Sequence, residues 1–393
     1  MADPAIEQLQ NQLIDMMKQK GSLDDSRIEA TFRAVPRHLF LPDVSPDLVY
    51  TDEALPIDRH QSGRVLSSCS QPSMIATMLA QLRLEPGHNV LEIGAGTGYN
   101  AALIQSLSGA ESRVTTIELD KDMYNLARDN FQRLGVGSRI NLVNADGAMG
   151  YAPRASYDRI IASVSIWDVP AAWKQQLKPG GILVAPIWLD SLQVSAAFRQ
   201  QADGSLTSEE NVPCGFVSLR GPAAGPNMYR RVETSALMLA SFASARLDTA
   251  ALHWLLSDDE ETNYLGYPLT AADYWNGFLP YFMLNLPSGY SFGLYSLIND
   301  QPAYGLDDHG FALISQGSAC FVPYRGLGNT MCFAGSDAFM VVQSSVAAWD
   351  DTGRVTADRL RLRLTPAQQG TPSAGKGRIY ARHDHFLHVW LEQ

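Results

Sequence analysis

Three glycines at alternate positions, Gly94, Gly96 and Gly98, follow the apolar run Val90-Leu91-Glu92-Ile93 and precede Tyr99-Asn100-Ala101-Ala102. A buried strand, a glycine turn and a helix in that order suit a nucleotide-like ligand. Glycines tolerate positive φ and let a ligand approach the backbone without a Cβ clash, and the N–H groups at the helix start favour electron-rich atoms. The spacing is GxGxG, and Tyr99 stands where a dinucleotide GxGxxG needs its third glycine. A second apolar run ends at Ile117-Glu118, and a third leads into Asn144-Ala145-Asp146-Gly147. At the C-terminal edge of a sheet, Glu118 would accept both hydroxyls of a ribose, and Asp146 would accept from an adenine amino group. An adenosine held this way describes S-adenosylmethionine (SAM) as well as it describes NAD. Ser68 and Ser70, just ahead of Gln71-Pro72, read from the residues alone as caps of a following helix.

The elements that must position these groups are legible in outline. Ile6, Leu9, Leu13 and Met16 share one helical face that ends at Gly21, and a second helix starts near Asp24-Asp25. From Asn89 to Pro186, short β-branched runs alternate with helical segments, which predicts a mainly parallel sheet covered on both faces. Residues 191–219 read as antiparallel strands, and Gly221-Pro222-Ala223-Ala224-Gly225-Pro226 reads as a linker. The expected fold is therefore α/β, Rossmann-like with a doubly wound sheet over 1–222, a linker at 223–228, and a C-terminal α+β domain over 229–393. That last region starts with helical signals (Ser235 to Leu256) and turns β-rich and aromatic from Tyr264.

Composition narrows the function classes. The 393 residues carry 30 Lys+Arg against 41 Asp+Glu, a net charge of −11, which argues against a nucleic-acid binder. No apolar run reaches the length of a membrane span, and the N-terminus has no signal-peptide pattern. The 4 cysteines are scattered without a CxxC pair, which predicts free thiols and a cytoplasmic protein.

Taken together, the three motifs resemble those of class I SAM-dependent methyltransferases, and segments outside them resemble the protein-L-isoaspartate O-methyltransferase family in particular. Val35-Pro36-Arg37-His38-Leu39-Phe40-Leu41-Pro42 resembles that family's VPRxxFVP, and Tyr50 to Ile57 its AYxDxxLPI. Ser68-Cys69-Ser70-Gln71-Pro72-Ser73-Met74 resembles TISQPYM, Leu177 to Pro186 resembles QLKxGGRLVxPV, and Phe216 to Gly221 resembles FVPLxG. The resemblance covers residues 1 to about 222. It departs in two places: the stretch Asp58 to Ser70, with Arg59, His60, Gln61 and Arg64, is longer than the ordinary repair enzyme's, and that enzyme lacks the C-terminal domain.

The resemblance implies an enzyme that methylates an aspartyl-derived carboxylate of a protein or peptide. Its donor would be SAM, leaving S-adenosylhomocysteine, and the ester would collapse to a succinimide (aspartimide). Dedicated modification of Asp in a ribosomally made peptide, of lanthipeptide or graspetide type, stands beside isoaspartate repair. A non-catalytic SAM-fold module that binds peptide is the alternative of another class. Ser70, with Ser68 as its neighbour, is the expected catalytic pair. Glu92, Gly94, Ala95, Gly96, Gly98, Tyr99, Glu118, Leu119, Asp146 and Gly147 are the expected cofactor residues, and Arg37, His38, Ile57 and Trp167 the expected substrate contacts. Neither nucleic acid, membrane nor metal is expected as a partner, and no oligomeric state follows. His383, His385 and His388 read as a polar strand face, Ser257 to Glu261 as a solvated acidic loop, and the aromatics from Tyr274 to Phe282 as core.

Overall fold

The computed structural model describes residues 3–59, 65–241, 248–258, 260–267, 269–373 and 375–392. Asp3 caps the first helix, Pro4–Gln19, which buries Leu13, Ile14 and Met17. The helix Ser26–Ala34 follows, capped by Asp25. A two-stranded hairpin comes next, β1 (Leu55–Arg59) against β2 (Val65–Cys69), with register shifts on either side of Asp58. His60, Gln61 and Arg64 of the lengthened stretch lie outside the described residues.

The expected alternation is present as β3 (Asn89–Ile93), β4 (Arg113–Glu118), β5 (Ile140–Asn144), β6 (Tyr157–Ala162) and β7 (Leu177–Trp188). These pair in parallel, and every residue of β3 is buried, as a strand covered on both faces requires. Then β8 (Gln193–Gln200) and β9 (Leu206–Cys214) add antiparallel strands, as the 191–219 pattern predicts.

Beyond residue 222 the structure departs from the expected division. A second, antiparallel sheet is built from β10 (Tyr229–Arg231), β11 (Leu237–Ala240), β12 (Glu260–Tyr264), β13 (Ser291–Leu297), β14 (Gly310–Ile314), β15 (Ser318–Pro323) and β16 (Asn329–Ala334), in the order β10-β11-β13-β14-β15-β16-β12. The chain then returns to the first sheet. Three more strands, β17 (Leu360–Pro366), β18 (Arg378–Ala381) and β19 (His385–Leu391), complete a ten-stranded sheet ordered β18-β19-β17-β9-β8-β7-β6-β3-β4-β5. The boundary expected at 223–228 therefore does not separate the sheets. Pairing of Arg363 and Leu364 with Thr207 and Leu206 closes the outer edge of β9. An edge left open there would present unpaired N–H and C=O groups.

Two local expectations also change. Leu237–Ala240 is a strand rather than the start of a helix, because it pairs along β13 and buries Leu237 and Leu239 at strand spacing; helix resumes only at Thr249–Leu255. Glu260 and Glu261 begin strand β12 instead of a loop, paired with Phe333 and Cys332, while Asp259 lies outside the described residues.

The two sheets share one core. Phe278 and Phe282 stack with centroids 5.3 Å apart, and Phe282 meets Phe311 and Phe292 edge-on. This aromatic cluster packs in one continuous set with Val194 and Phe198 of the first sheet and with Leu362 and Leu364 of β17. Among the described residues no helix is long and apolar enough to cross a membrane. Because that core and the edge of β9 both depend on residues after 222, a chain cut after Gly221 is expected to melt well below the full-length protein and to self-associate. Calorimetry with size-exclusion chromatography checks this, and a monomer with an unchanged melting temperature contradicts it.

Candidate functional site

A cleft opens at the C-terminal ends of β3, β4 and β6, lined by Leu66 to Ser70, Gly94 to Thr97, Tyr99, Asn100, Ile117 to Leu119, Gly147, Ser163, Val164 and Val217 to Arg220. Strand order reverses beside β3, whose neighbours are β4 on one side and β6 on the other. Open α/β sheets bind ligands at such a switch point.

The glycine turn forms the floor. Gly94, Gly96 and Gly98 all have positive φ, at 90°, 52° and 85°. Gly98 also touches the Phe131 ring so closely that an added Cβ would sit 2.5 Å from it. Beneath the turn, Glu92 is fully buried and accepts hydrogen bonds from Thr116 Oγ1 at 2.5 Å and Asn100 Nδ2 at 2.7 Å. Burial dominates there and pushes the Glu92 carboxyl up to about 7, although Thr116 and Asn100 oppose the rise. Glu92 thus supports the turn from below and does not line the cleft.

Glu118 fastens the turn from the side. Its Oε2 accepts from the Gly96 amide at 2.9 Å and its Oε1 from the Asp120 amide at 3.0 Å. Each oxygen keeps a lone pair, and Glu118 lines the cleft beside Leu119. Asp146 follows β5 and has a structural partner of its own. Its Oδ1 accepts from the Ala148 amide at 2.9 Å and so caps the short helix Gly147–Met149, leaving Gly147 rather than Asp146 on the wall.

The opposite wall is β2 and the residues after it. The helix Pro72–Leu82 has Gln71 as its N-cap, without a side-chain cap bond. The incoming cap comes instead from Asp52, which accepts from the Ser73 amide at 2.9 Å. Ser70 therefore does not cap the helix. Among the described residues its hydroxyl has no protein partner, and neither does that of Ser68. Both line the cleft.

The four expected substrate contacts do not line it. Arg37 is 1% exposed and donates to five backbone carbonyls: Val49 (2.8 Å), Thr51 (3.2 Å), Glu53 (3.1 Å), Cys69 (3.2 Å) and Ser70 (3.0 Å). It clamps the backbone that carries Ser70 and is too buried to meet a peptide carboxylate. His38 Nδ1 bonds the Tyr50 hydroxyl at 2.7 Å, and burial lowers the imidazole below its usual range. Ile57 packs against the core beneath the N-terminal helices. Trp167 carries the Arg382 guanidinium on its ring face, 3.3 Å from the centroid.

Several wall residues were not among the expected ones. Asn100, one residue into the helix after the turn, was detectable as the amide partner available to a buried Glu92. Ser163 and Val164 follow β6, and Val217 to Arg220 belong to the segment that resembles FVPLxG, for which no site role was expected. Arg220 brings a cation to the wall and pairs with Asp120 at 3.3 Å. His385 is not on a polar strand face: it is buried against Asp168 at 2.8 Å.

Residues 7–223, more than half of the chain, match the family model for protein-L-isoaspartate(D-aspartate) O-methyltransferase (PCMT). The chain belongs to the PCMT family. A protein-L-isoaspartate O-methyltransferase of Methanopyrus kandleri is 35% identical over 219 residues, 56% of this chain and 94% of its own. One from Thermococcus sibiricus is 38% identical over 214 residues, 53% of this chain and 92% of its own. A solved protein-L-isoaspartate O-methyltransferase aligns over 98% of this chain and 100% of its own, at 22% identity and a TM-score of 0.52. That likeness is one of fold, and it extends past the residues the PCMT model matches.

Two outcomes follow from the site's buried charges. Glu92 has a folded pKa above its unfolded one, so its favourable contribution is complete below about pH 4 and is lost as pH rises through about 7. Glu92→Gln is therefore expected to flatten the melting temperature between pH 5 and 8 relative to wild type; parallel curves in scanning fluorimetry would refute the assignment. Arg37→Ala leaves five backbone carbonyls, those of Val49 and Cys69 in buried bonds, without their donor and is expected to cost about 3–5 kcal/mol in urea unfolding. A loss below about 1 kcal/mol would show that water replaces the guanidinium there.

Proposed function

We propose that this chain transfers a methyl group from SAM to an aspartyl-derived carboxylate, isoaspartyl or aspartyl, in a protein or peptide. The observation that carries the reading is the pairing of two walls across one cleft. Glu118 and the Gly94–Gly98 turn stand on one, and the unpartnered hydroxyl of Ser70 on the other.

The residues present fit an adenosyl ligand. Glu118 keeps an accepting lone pair on each oxygen for a diol, and an added Cβ at Gly96 would find no atom closer than 3.9 Å, so the backbone there is open to approach. Asn100 Oδ1 is buried at the cleft floor without a partner among the described residues, which suits a donor such as an ammonium group. Gly94, Ala95, Gly96, Tyr99, Glu118, Leu119 and Gly147 would hold the ligand, with Glu92, Gly98 and Asp146 shaping the backbone behind them. When bound, SAM supplies an electrophilic methyl group on a cationic sulfur.

The protein's own part is orientation. A carboxylate with a pKa near 4 arrives ionised at neutral pH, so the cleft needs no general base. The Ser70 hydroxyl hydrogen-bonds the carboxylate without adding a competing charge, and this fixes which oxygen faces the donor. Ser68 lies on the same strand end as a second hydroxyl. Arg37 holds the Cys69 and Ser70 carbonyls and so keeps that strand end in register. Leu66 to Cys69 and Val217 to Leu219 enclose the reacting atoms and exclude water. The methyl ester, a better electrophile than a carboxylate, is then attacked by the next backbone nitrogen of the substrate. Methanol leaves and a succinimide forms, with no further residue required.

Dedicated modification of a normal Asp in a ribosomally made peptide remains the second reading. Its motivation is the stretch Asp58 to Ser70, in which the sequence is longer than the ordinary repair enzyme's. The retained Glu118 and Ser70 weigh against a non-catalytic module. Mass spectrometry of the protein with SAM and matched peptides separates these readings. Ester on an isoaspartyl peptide alone indicates repair, whereas ester or dehydrated product only on a ring-constrained aspartyl peptide indicates maturation. Absence of S-adenosylhomocysteine release with every peptide counts against catalysis.

A further inference from the structure

The β18–β19 hairpin turns at Arg382 to Asp384, closed by the Arg382 amide donating to the His385 carbonyl at 2.9 Å. Its tip is packed against the first half of the chain. His385, 2% exposed, places Nδ1 2.8 Å from Asp168 Oδ1, and the Asp384 amide donates to Asp168 Oδ2 at 2.7 Å. His385 Nε2 lies 3.4 Å from Lys174 Nζ. This geometry fits the tautomer with its proton on Nδ1, donating to Asp168 and accepting from Lys174. Arg382 donates to the Trp188 carbonyl at 2.9 Å and to that of Leu189, with its guanidinium stacked on Trp167. One turn thus grips the segments that follow β6 and β7.

The segment after β6 carries part of the cleft. Ser163 and Val164 line it directly. Ser165 donates its amide to the Val217 carbonyl and accepts from the Leu219 amide, both at 2.8 Å, which holds the wall of Val217 to Arg220. Ile166 is already tied to Pro186 and Trp188 of β7. Asp168 is the next anchor, and its side chain is only 9% exposed. A carboxylate so buried is stable only where cations and donors meet it, and the β18–β19 turn and Lys174 supply them.

We propose that His385 is a positioning residue for the methyl-donor wall: through Asp168 it fixes the 163–169 segment, and the cleft's affinity for its nucleoside ligand depends on it. The proposal rests on the SAM reading given above. It places a functional group of the site in the region beyond residue 223, and it explains why buried charges occur at the tip of a hairpin.

The test is calorimetric titration of full-length protein with S-adenosylhomocysteine, far below each variant's melting temperature. His385→Ala is expected to weaken binding at least ~10-fold. His385→Asn, whose amide N–H stands where Nδ1–H was, is expected to restore it to within ~3-fold. Phe321→Ala, a large deletion on the far face of the second sheet, is expected to lower the melting temperature while leaving affinity unchanged. Unchanged binding in His385→Ala, equal losses in the Ala and Asn variants, or an equal loss in Phe321→Ala would each overturn the proposal. Should His385→Ala not fold, Asp168→Asn takes its place with an expected loss of at least ~3-fold, and wild-type affinity in that variant is equally fatal. A wild-type protein that does not bind S-adenosylhomocysteine defeats the SAM reading itself and takes this proposal with it.

Discussion

Irregular backbone around the cleft leaves amides and carbonyls without strand or helix partners, and buried groups of this kind must be satisfied by something other than water. Charged side chains meet that demand here. Arg37 takes five carbonyls, Glu118 takes two amides, Arg382 takes two carbonyls, and Asp168 takes the amides of Val169 and Asp384. Each fastens a segment that follows a strand, and each lies beside or behind a wall of the cleft. The charges are thus spent on holding loops, and the groups left to meet a ligand are few and mostly neutral.

The second constraint is the edge of β9. A parallel αβ sheet extended by β8 and β9 would end on an open strand, with one apolar face uncovered. The same chain supplies both remedies: β17 pairs along the edge, and the aromatic cluster around Phe278, Phe282 and Phe311 covers the face. The second sheet is therefore joined to the first by packing, strand pairing stays within each sheet, and the chain crosses between them twice.

What the sequence discloses follows from how local each interaction is. The strand–turn–helix around Gly94 and the alternation from Asn89 to Pro186 are local patterns, and the structure has both. Glu118 was readable because a carboxylate at a strand end one crossover away has few places to point. Arg37 was not, since its role needs carbonyls brought from two separate segments, 49–53 and 69–70. The segment Leu360-Arg361-Leu362-Arg363-Leu364 alternates as a strand should, but alternation does not name a partner. His385 and Asp168, 217 positions apart, carry no local sign of each other. Asp146 has a local use as well, its Oδ1 capping its own short helix, and that use is one the Asp-Gly sequence itself suggests.

Position along the chain also sets an order in time. Asn211 on β9 and Leu360, the first residue of its partner strand β17, are bonded across 149 positions. At synthesis rates of about 5–20 residues per second, the edge of β9 leaves the ribosome roughly 7 to 30 seconds before the strand that covers it. During that interval it is a template for any extended segment nearby, including the same edge on a neighbouring nascent chain. The two glutamates that open β12 and the arginines alternating along β17 belong to strands that arrive afterwards, so neither can shield it. The protein's exposure to misassembly is thus concentrated in one stretch of its own making and ends when β17 docks.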